Sequence, residues 1–165
     1  LAADCKANLV SVPILTRDAG GFYAAPSLSL IAALQAFLDA RKEVTQTVEV
    51  LSGVDFLIPA VISARVGVRS GFSESITSSE VNTAISGILR DRRFGVSLYE
   101  SDLHDAILLV PGVSFANVDI KGYTDPTTSL LSTARSDADG NLILLTSEVI
   151  TKGTVTITTE PVTTT

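Results

Sequence analysis

The chain has 165 residues, with 12 lysines and arginines against 18 aspartates and glutamates and a formal net charge of −6. A chain of that size fits one domain and can bury roughly 70% of its unfolded surface, so a core needs neither a disulfide framework nor a metal. The acidic balance argues against binding a phosphate backbone, which requires clustered cations to displace counterions, and the lone Cys5 excludes an intramolecular disulfide and fits a reducing cytoplasm.

Asn8 to Leu15 sets Val10, Val12 and Ile14 against Leu9, Ser11 and Leu15, which spells a strand, and Pro13 favours an edge position. Thr16 to Pro26, with Gly20-Gly21, reads as a loop. Ser27 or Ser29 can then cap a helix running to about Glu43, with Leu30, Ile31, Leu34, Phe37 and Leu38 on one face. A short strand follows over Thr47–Leu51. Ser52 to Asp55 turns the chain into a long strand from about Leu57 to Arg69, where Ile62, Ala64, Val66 and Val68 point one way and Ser63, Arg65, Gly67 and Arg69 the other.

Thr77 and Glu80 stand at the spacing of a capping box, flanked by Ile76 and Val81 as a hydrophobic staple. Val81, Ile85, Ile88 and Leu89 continue as the apolar face of that helix. Arg90, Arg92 and Arg93 fall in its last turn as solvated partners of the helix dipole, and Gly95 permits a left-handed exit. Ser101 can cap a second helix with Leu103, Ile107 and Val110 on its face and Asp102 in its first turn, and Pro111 stops it. A strand runs from Val113 to about Lys121, and Tyr123 to Asp139 reads as a loop. Asn141–Ile150 and Thr154–Thr159 pair as a hairpin across Thr151-Lys152-Gly153, and Thr163 to Thr165 form a frayed tail.

This order predicts an α+β fold, a mainly antiparallel split-βαβ-like sheet with helices on one face plus a C-terminal β-hairpin. The expected division is an α+β domain over residues 1–123, a loop over 124–140, and a hairpin extension with its tail over 141–165.

Catalytic chemistry has little to stand on. His104-Asp105 has the pairing of a metal-dependent hydrolase, but His104 is the one histidine, and any further ligands would have to be carboxylates; it reads as a helix-surface residue. Asp137, Asp139 and Asn141 resemble the start of a calcium loop, yet no glutamate follows at the closing position and Asp139-Gly140 is an ordinary turn signal. Asp102 and Asp105 share a helix face, and capping and solvation account for them without acid–base work. No Gly-x-Ser-x-Gly, Gly-x-Gly-x-x-Gly or Walker sequence occurs. No catalytic, cofactor-binding or metal-binding residue is therefore assigned, no cofactor is expected, and the chain reads as a non-enzyme.

The absence of methionine and the leading Leu1 suggest a fragment or processed product, and no run approaches the ~18 apolar residues of a membrane span. A soluble protein is expected. Mean hydropathy is nonetheless +0.39 with 18% charged residues, apolar for a small soluble domain, so part of its surface should meet another chain.

The ordered segments Asn-Leu-Val-Ser-Val-Pro-Ile-Leu, the helix from Ser29 to Val44 with the strand Thr-Val-Glu-Val after it, Ala-Val-Ile-Ser-Ala-Arg-Val-Gly-Val-Arg, and R-R-F-G-V-S-L-Y-E-S-D-L-H-D-A-I-L-L-V-P-G-V before a strand cover most of Asn8 to Ile120. As a set they resemble the baseplate J-like family, wedge proteins of tailed-phage baseplates and related contractile injection systems. The resemblance implies a structural subunit that forms homo-oligomers and contacts other baseplate wedge and hub proteins, in a ring that rearranges when the tail contracts. It also implies residence in the virion tail baseplate after assembly in the bacterial host cytoplasm; the acidic charge and the lack of a long apolar run add the expectation of no nucleic-acid and no membrane partner. The same element order would serve a ferredoxin-like small-molecule-binding regulatory module, which needs a concave polar pocket beside the sheet, or an enzyme subunit completed by another chain.

Overall fold

The computed structural model of the chain describes residues 9–162; Cys5 and the Thr163–Thr165 tail lie outside the described residues. At its centre lies β5 (Leu57–Arg69), whose even-numbered side chains from Ile58 to Val68 are all buried, while Arg65 and Arg69 of the other parity are exposed. That alternation is the parity the sequence sets out, one face toward a core and one toward water.

Beside it β6 (Val113–Thr124) runs antiparallel and β8 (Val149–Val162) parallel, and the two-residue β7 (Leu131–Ser132) extends β6, giving the order β7-β6-β5-β8. Ile62 lies between Ile120 and Val155, and Ala64 between Val118 and Ile157, so the three strands present one continuous apolar row. Two helices cover that face. α2 (Glu74–Arg90) lies over β8 and sends in Thr77, Val81, Ile85 and Leu89, while α3 (Glu100–Leu108) lies over β6 and sends in Leu103 and Ile107. The α+β class holds, and the sheet is mixed in direction.

The expected C-terminal hairpin does not form. Thr151-Lys152-Gly153 is no turn; the pairing steps from Ala60↔Lys152 to Ile62↔Val155, so the segment continues one strand through a bulge. A Cβ on Gly153 would stand 2.5 Å from the Ala60 carbonyl oxygen, so glycine is required by close backbone approach, a need that in sequence looks the same as a turn. Asn141 to Leu145 go elsewhere, with Leu142 bridging to both Leu98 and Ser136.

The helix starts also shift. α2 begins a turn before the expected capping box, with Ser73 at the N-cap, and the Thr77 N–H donates to the Ser73 carbonyl at 2.9 Å. Thr77 is buried because it stands four residues before Val81 in the same stripe, whereas Ile76 is exposed and staples nothing to the core. α3 starts at Glu100 with Tyr99 at its N-cap, two residues ahead of the expected Ser101 cap. Its first amide is met from a distance, by Asn141 Oδ1 at 3.2 Å, and the Glu100 carboxylate accepts the Ile120 N–H at 3.0 Å. Gly95 takes the left-handed conformation, with φ 70°, but in the turn beyond the helix, since α2 ends at Arg90 with a right-handed cap at Asp91.

A second layer forms from β1 (Leu9–Ile14), α1 (Leu28–Asp39) and β4 (Thr47–Ser52). β1 and β4 pair in parallel as a two-stranded sheet. Ser27 caps α1 by accepting the Leu30 N–H at 3.3 Å, and the helix ends at Asp39, short of the expected Glu43. Gln35 pins it to β4, its amide nitrogen donating to the Val48 carbonyl and its oxygen accepting the Val50 N–H, both at 2.8 Å. The presumed loop between β1 and α1 holds a small antiparallel pair, β2 (Thr16–Arg17) with β3 (Tyr23–Ala24). Among the described residues, no helix is long and apolar enough to cross a membrane.

Candidate interaction surface

α1 is apolar nearly all round and carries no charged residue between Leu28 and Leu38. Yet it has no buried residue. Ile31, Leu34, Gln35 and Leu38 form the half-buried stripe that Gln35 ties to β4, while Leu28 is 84% and Phe37 51% exposed on the rest of the helix. Leu9, Val10 and Leu51 leave more apolar area open on the strands beneath. Parallel sheets are normally covered on both faces, and a helix apolar all round is normally buried, so a two-stranded parallel layer under one bare helix is an incomplete stack. Covering Leu28 would contribute about 1.5–3 kcal/mol, and Phe37, already half covered, about half as much. The Arg41 guanidinium lies 3.7 Å from the Phe37 ring centroid, which leaves a cation at the rim of the patch.

The residues singled out as candidate chemistry are scattered. His104 Nδ1 is 3.7 Å from Asp105 Oδ1, both side chains are open to water, and His104 borders a groove of about 310 Å³ with Glu100, Ser101, Ala116, Asn117 and Val118. Asp102, on the same helix, turns instead to Arg92. Among the described residues, no group of three or more His, Cys, Asp or Glu side chains is placed to hold a metal.

Arg92 departs from the solvated role expected of it. Its side chain is 14% exposed, ion-paired with Asp102 and donating to the Ser97 carbonyl at 2.9 Å, so it ties the end of α2 to the start of α3. Arg90 by contrast pairs with its neighbour Asp91 at the surface. Arg92→Ala should therefore cost about 1–2 kcal/mol, above an exposed pair and below a fully buried one because Asp102 stays partly hydrated. Denaturant melts of Arg92→Ala beside Arg93→Ala check this, with the Arg93 variant staying within about 0.5 kcal/mol of the parent.

Asp137, Asp139 and Asn141 make a closed turn. Asp137 Oδ1 accepts the Asp139 and Asn141 amides at 2.9 and 2.8 Å, Oδ2 accepts the Asn141 side-chain amide at 3.0 Å, and Gly140 takes φ 81°. Those bonds, the Asn141 side chain foremost, hold the Asp137 carboxyl below the usual carboxylate range. Backbone amides of Thr128 and Thr127 do the same for Asp125. A depressed carboxyl stabilises the fold above its unfolded value and loses that contribution as pH falls through its folded value. Both turns should thus hold at neutral pH and loosen only below about pH 4. Amide exchange at Asn141 and Thr128 reads this directly; protection lost already near neutral pH would contradict it.

Two ion pairs carry no signal in the sequence, since their partners are far apart along the chain. Arg135 donates to Glu148 Oε1 through Nε at 3.0 Å and Nη2 at 2.6 Å, and Arg65 grips Glu160 in the same way across the open face of the sheet. Comparison of the chain with protein-family models and with curated proteins finds no match in either.

Proposed function

We propose that the chain is a structural assembly subunit of baseplate-wedge type, a fragment of a phage or phage-like tail baseplate that acts through contacts with its own copies and with other wedge and hub proteins. The observation that carries this reading is the incomplete β1–α1–β4 layer, whose helix carries no charge before Asp39 and exposes Leu28, Leu30 and Phe37 where a partner's surface would complete the stack. The ordered sequence resemblance supplies the kind of assembly. A split-βαβ kinship belongs to the same proposal; it rests on the α+β class and on α2 and α3 sharing one face, and the adjacent parallel pairs do not supply it. The regulatory-module alternative would look to the groove beside Glu100, His104 and Asn117, which at about 310 Å³ is at the small end for a ligand site.

Mass spectrometry of sedimented tail particles from the source culture tests the proposal. The chain should be recovered in the particle fraction in several copies per particle, and Leu28→Asp combined with Phe37→Asp should deplete it there while leaving the melting temperature near the parent's. Recovery only as free protein would overturn the reading.

A further inference from the structure

β8 is the edge of the central sheet. From Thr154 to Val162 its inner side pairs with β5, and among the described residues no backbone hydrogen bond reaches its outer side. The stretch Thr154-Val-Thr-Ile-Thr-Thr159 is six β-branched residues in a row, without charge, and only Glu160 and Pro161 guard its far end. Edges left in soluble proteins are commonly blunted by lysine, bulges or covering elements, and a flat uncharged run of this composition is the kind that pairs with another strand. Thr154, Thr156 and Thr158 are exposed, and Val155 and Ile157, on the helix side, are only half-buried with nothing beyond them.

The helix above the edge carries a second, independent feature. Lys152 Nζ bonds Ser86 Oγ at 2.8 Å and Asn82 Oδ1 at 3.3 Å, and Thr159 Oγ1 bonds Glu74 at 3.1 Å, which fixes the flank of α2 that overlooks β8. Lys152 covers Asn82 and Ser86, and the rest of that flank is Ser75, Ser78 and Ser79, short and uncharged. A neighbouring helix can approach the Ser75–Ser79 end closely.

We infer that β8 pairs antiparallel with β8 of a second copy across a two-fold axis, joining the two central sheets and bringing the Ser75–Ser79 ends of the two α2 helices together. A second copy is the occupant for three reasons. The open edge offers a row of unpaired amides and carbonyls, which a strand matches along its whole length. Antiparallel pairing centred on Thr156 sets Thr156 against itself and Thr154 against Thr158 on the open face, and Val155 against Ile157 on the helix side, so the edge complements itself. Charge selects the direction: two chains of net charge −6 repel, and this neutral edge is where they can meet. The antiparallel arrangement also keeps the two Glu160 carboxylates apart, whereas a parallel one would set them side by side. The inference rests on the assembly reading for why copies meet, and is separable from it because α1 takes no part in this contact.

The test is sedimentation equilibrium of the full chain with Thr156→Lys, with Ser79→Arg and with Phe37→Asp, each confirmed folded by circular dichroism. Both Thr156→Lys, which sets like charges across the strand pair, and Ser79→Arg, on the helix flank, should weaken the dimer roughly tenfold or more. Phe37→Asp should leave it as tight as the parent. Hydrogen exchange should show amides between Thr154 and Glu160 gaining protection as concentration rises. A dimer that survives both β8-side variants but is lost in Phe37→Asp would overturn the edge pairing while leaving the assembly reading in place. A parent chain that stays monomeric would overturn the pairing outright.

Discussion

Ile107→Asp is expected to unfold the domain. Ile107 is fully buried on the face of α3 that meets β6, in one cluster with Leu103, Ile85, Val118 and Ile120. The substitution removes an apolar side chain worth about 2–5 kcal/mol and puts a carboxylate where no cation waits, which adds a desolvation cost of comparable size. Against a total stability of about 5–15 kcal/mol this removes most or all of the native state. Leu108→Asp, at the next position on the exposed side of the same helix, should stay within about 1 kcal/mol. Urea melts of the pair decide the matter; similar midpoints for both would mean that the face of α3 has been placed wrongly.

Glu148→Ala is the second large effect. The Glu148 side chain is 7% exposed, its Oε1 holds the Arg135 guanidinium and its Oε2 accepts the Leu145 N–H at 2.8 Å. Truncation leaves an arginine without its counter-charge and a backbone amide without its acceptor. Arg135 can recover some hydration because it is a third exposed, so the cost should fall at about 2–4 kcal/mol, below that of a wholly buried pair. Glu148→Gln, which keeps an acceptor for Leu145 but loses the charge, should recover part of it. The Leu145 amide should exchange faster in Glu148→Ala before the global melt shifts. A variant within about 0.5 kcal/mol of the parent would show that this pair does not hold the 135–148 segment to the sheet.

The periodic parts of this fold are readable because burial imposes them residue by residue. The alternation of β5 and the stripes Val81-Ile85-Leu89 and Leu103-Ile107 follow from side-chain period alone, and the structure buries all of them. Local end chemistry is less decisive. Ser73, Ser75, Thr77, Ser78 and Ser79 offer overlapping caps, and what selects Ser73 is that Thr77 belongs to the buried stripe, a tertiary fact. Gly153 looks like a turn because glycine serves both a turn and a close backbone approach. The parallel pairing of β8 with β5 joins residues roughly ninety apart, for which no local pattern speaks.

The candidate interaction surface is legible only in aggregate. High mean hydropathy with few charges calls for apolar area left over after folding, but its location on α1 depends on which helix the sheet fails to cover. The sequence sets Leu30 and Phe37 on one apolar face of α1 with Ile31, Leu34 and Leu38, and the structure half-buries those three while leaving Leu30 and Phe37 exposed. Arg92 shows the converse: three arginines near a helix end suggest solvated charge, and one of them is folded inward by an aspartate ten residues away.

We propose, above all, that this domain is built to associate. Sedimentation velocity of the purified full chain, from low to high micromolar concentration, tests it most directly. The account predicts a weight-average sedimentation coefficient that rises reversibly with concentration; a single monomeric boundary unchanged across the whole range would contradict it.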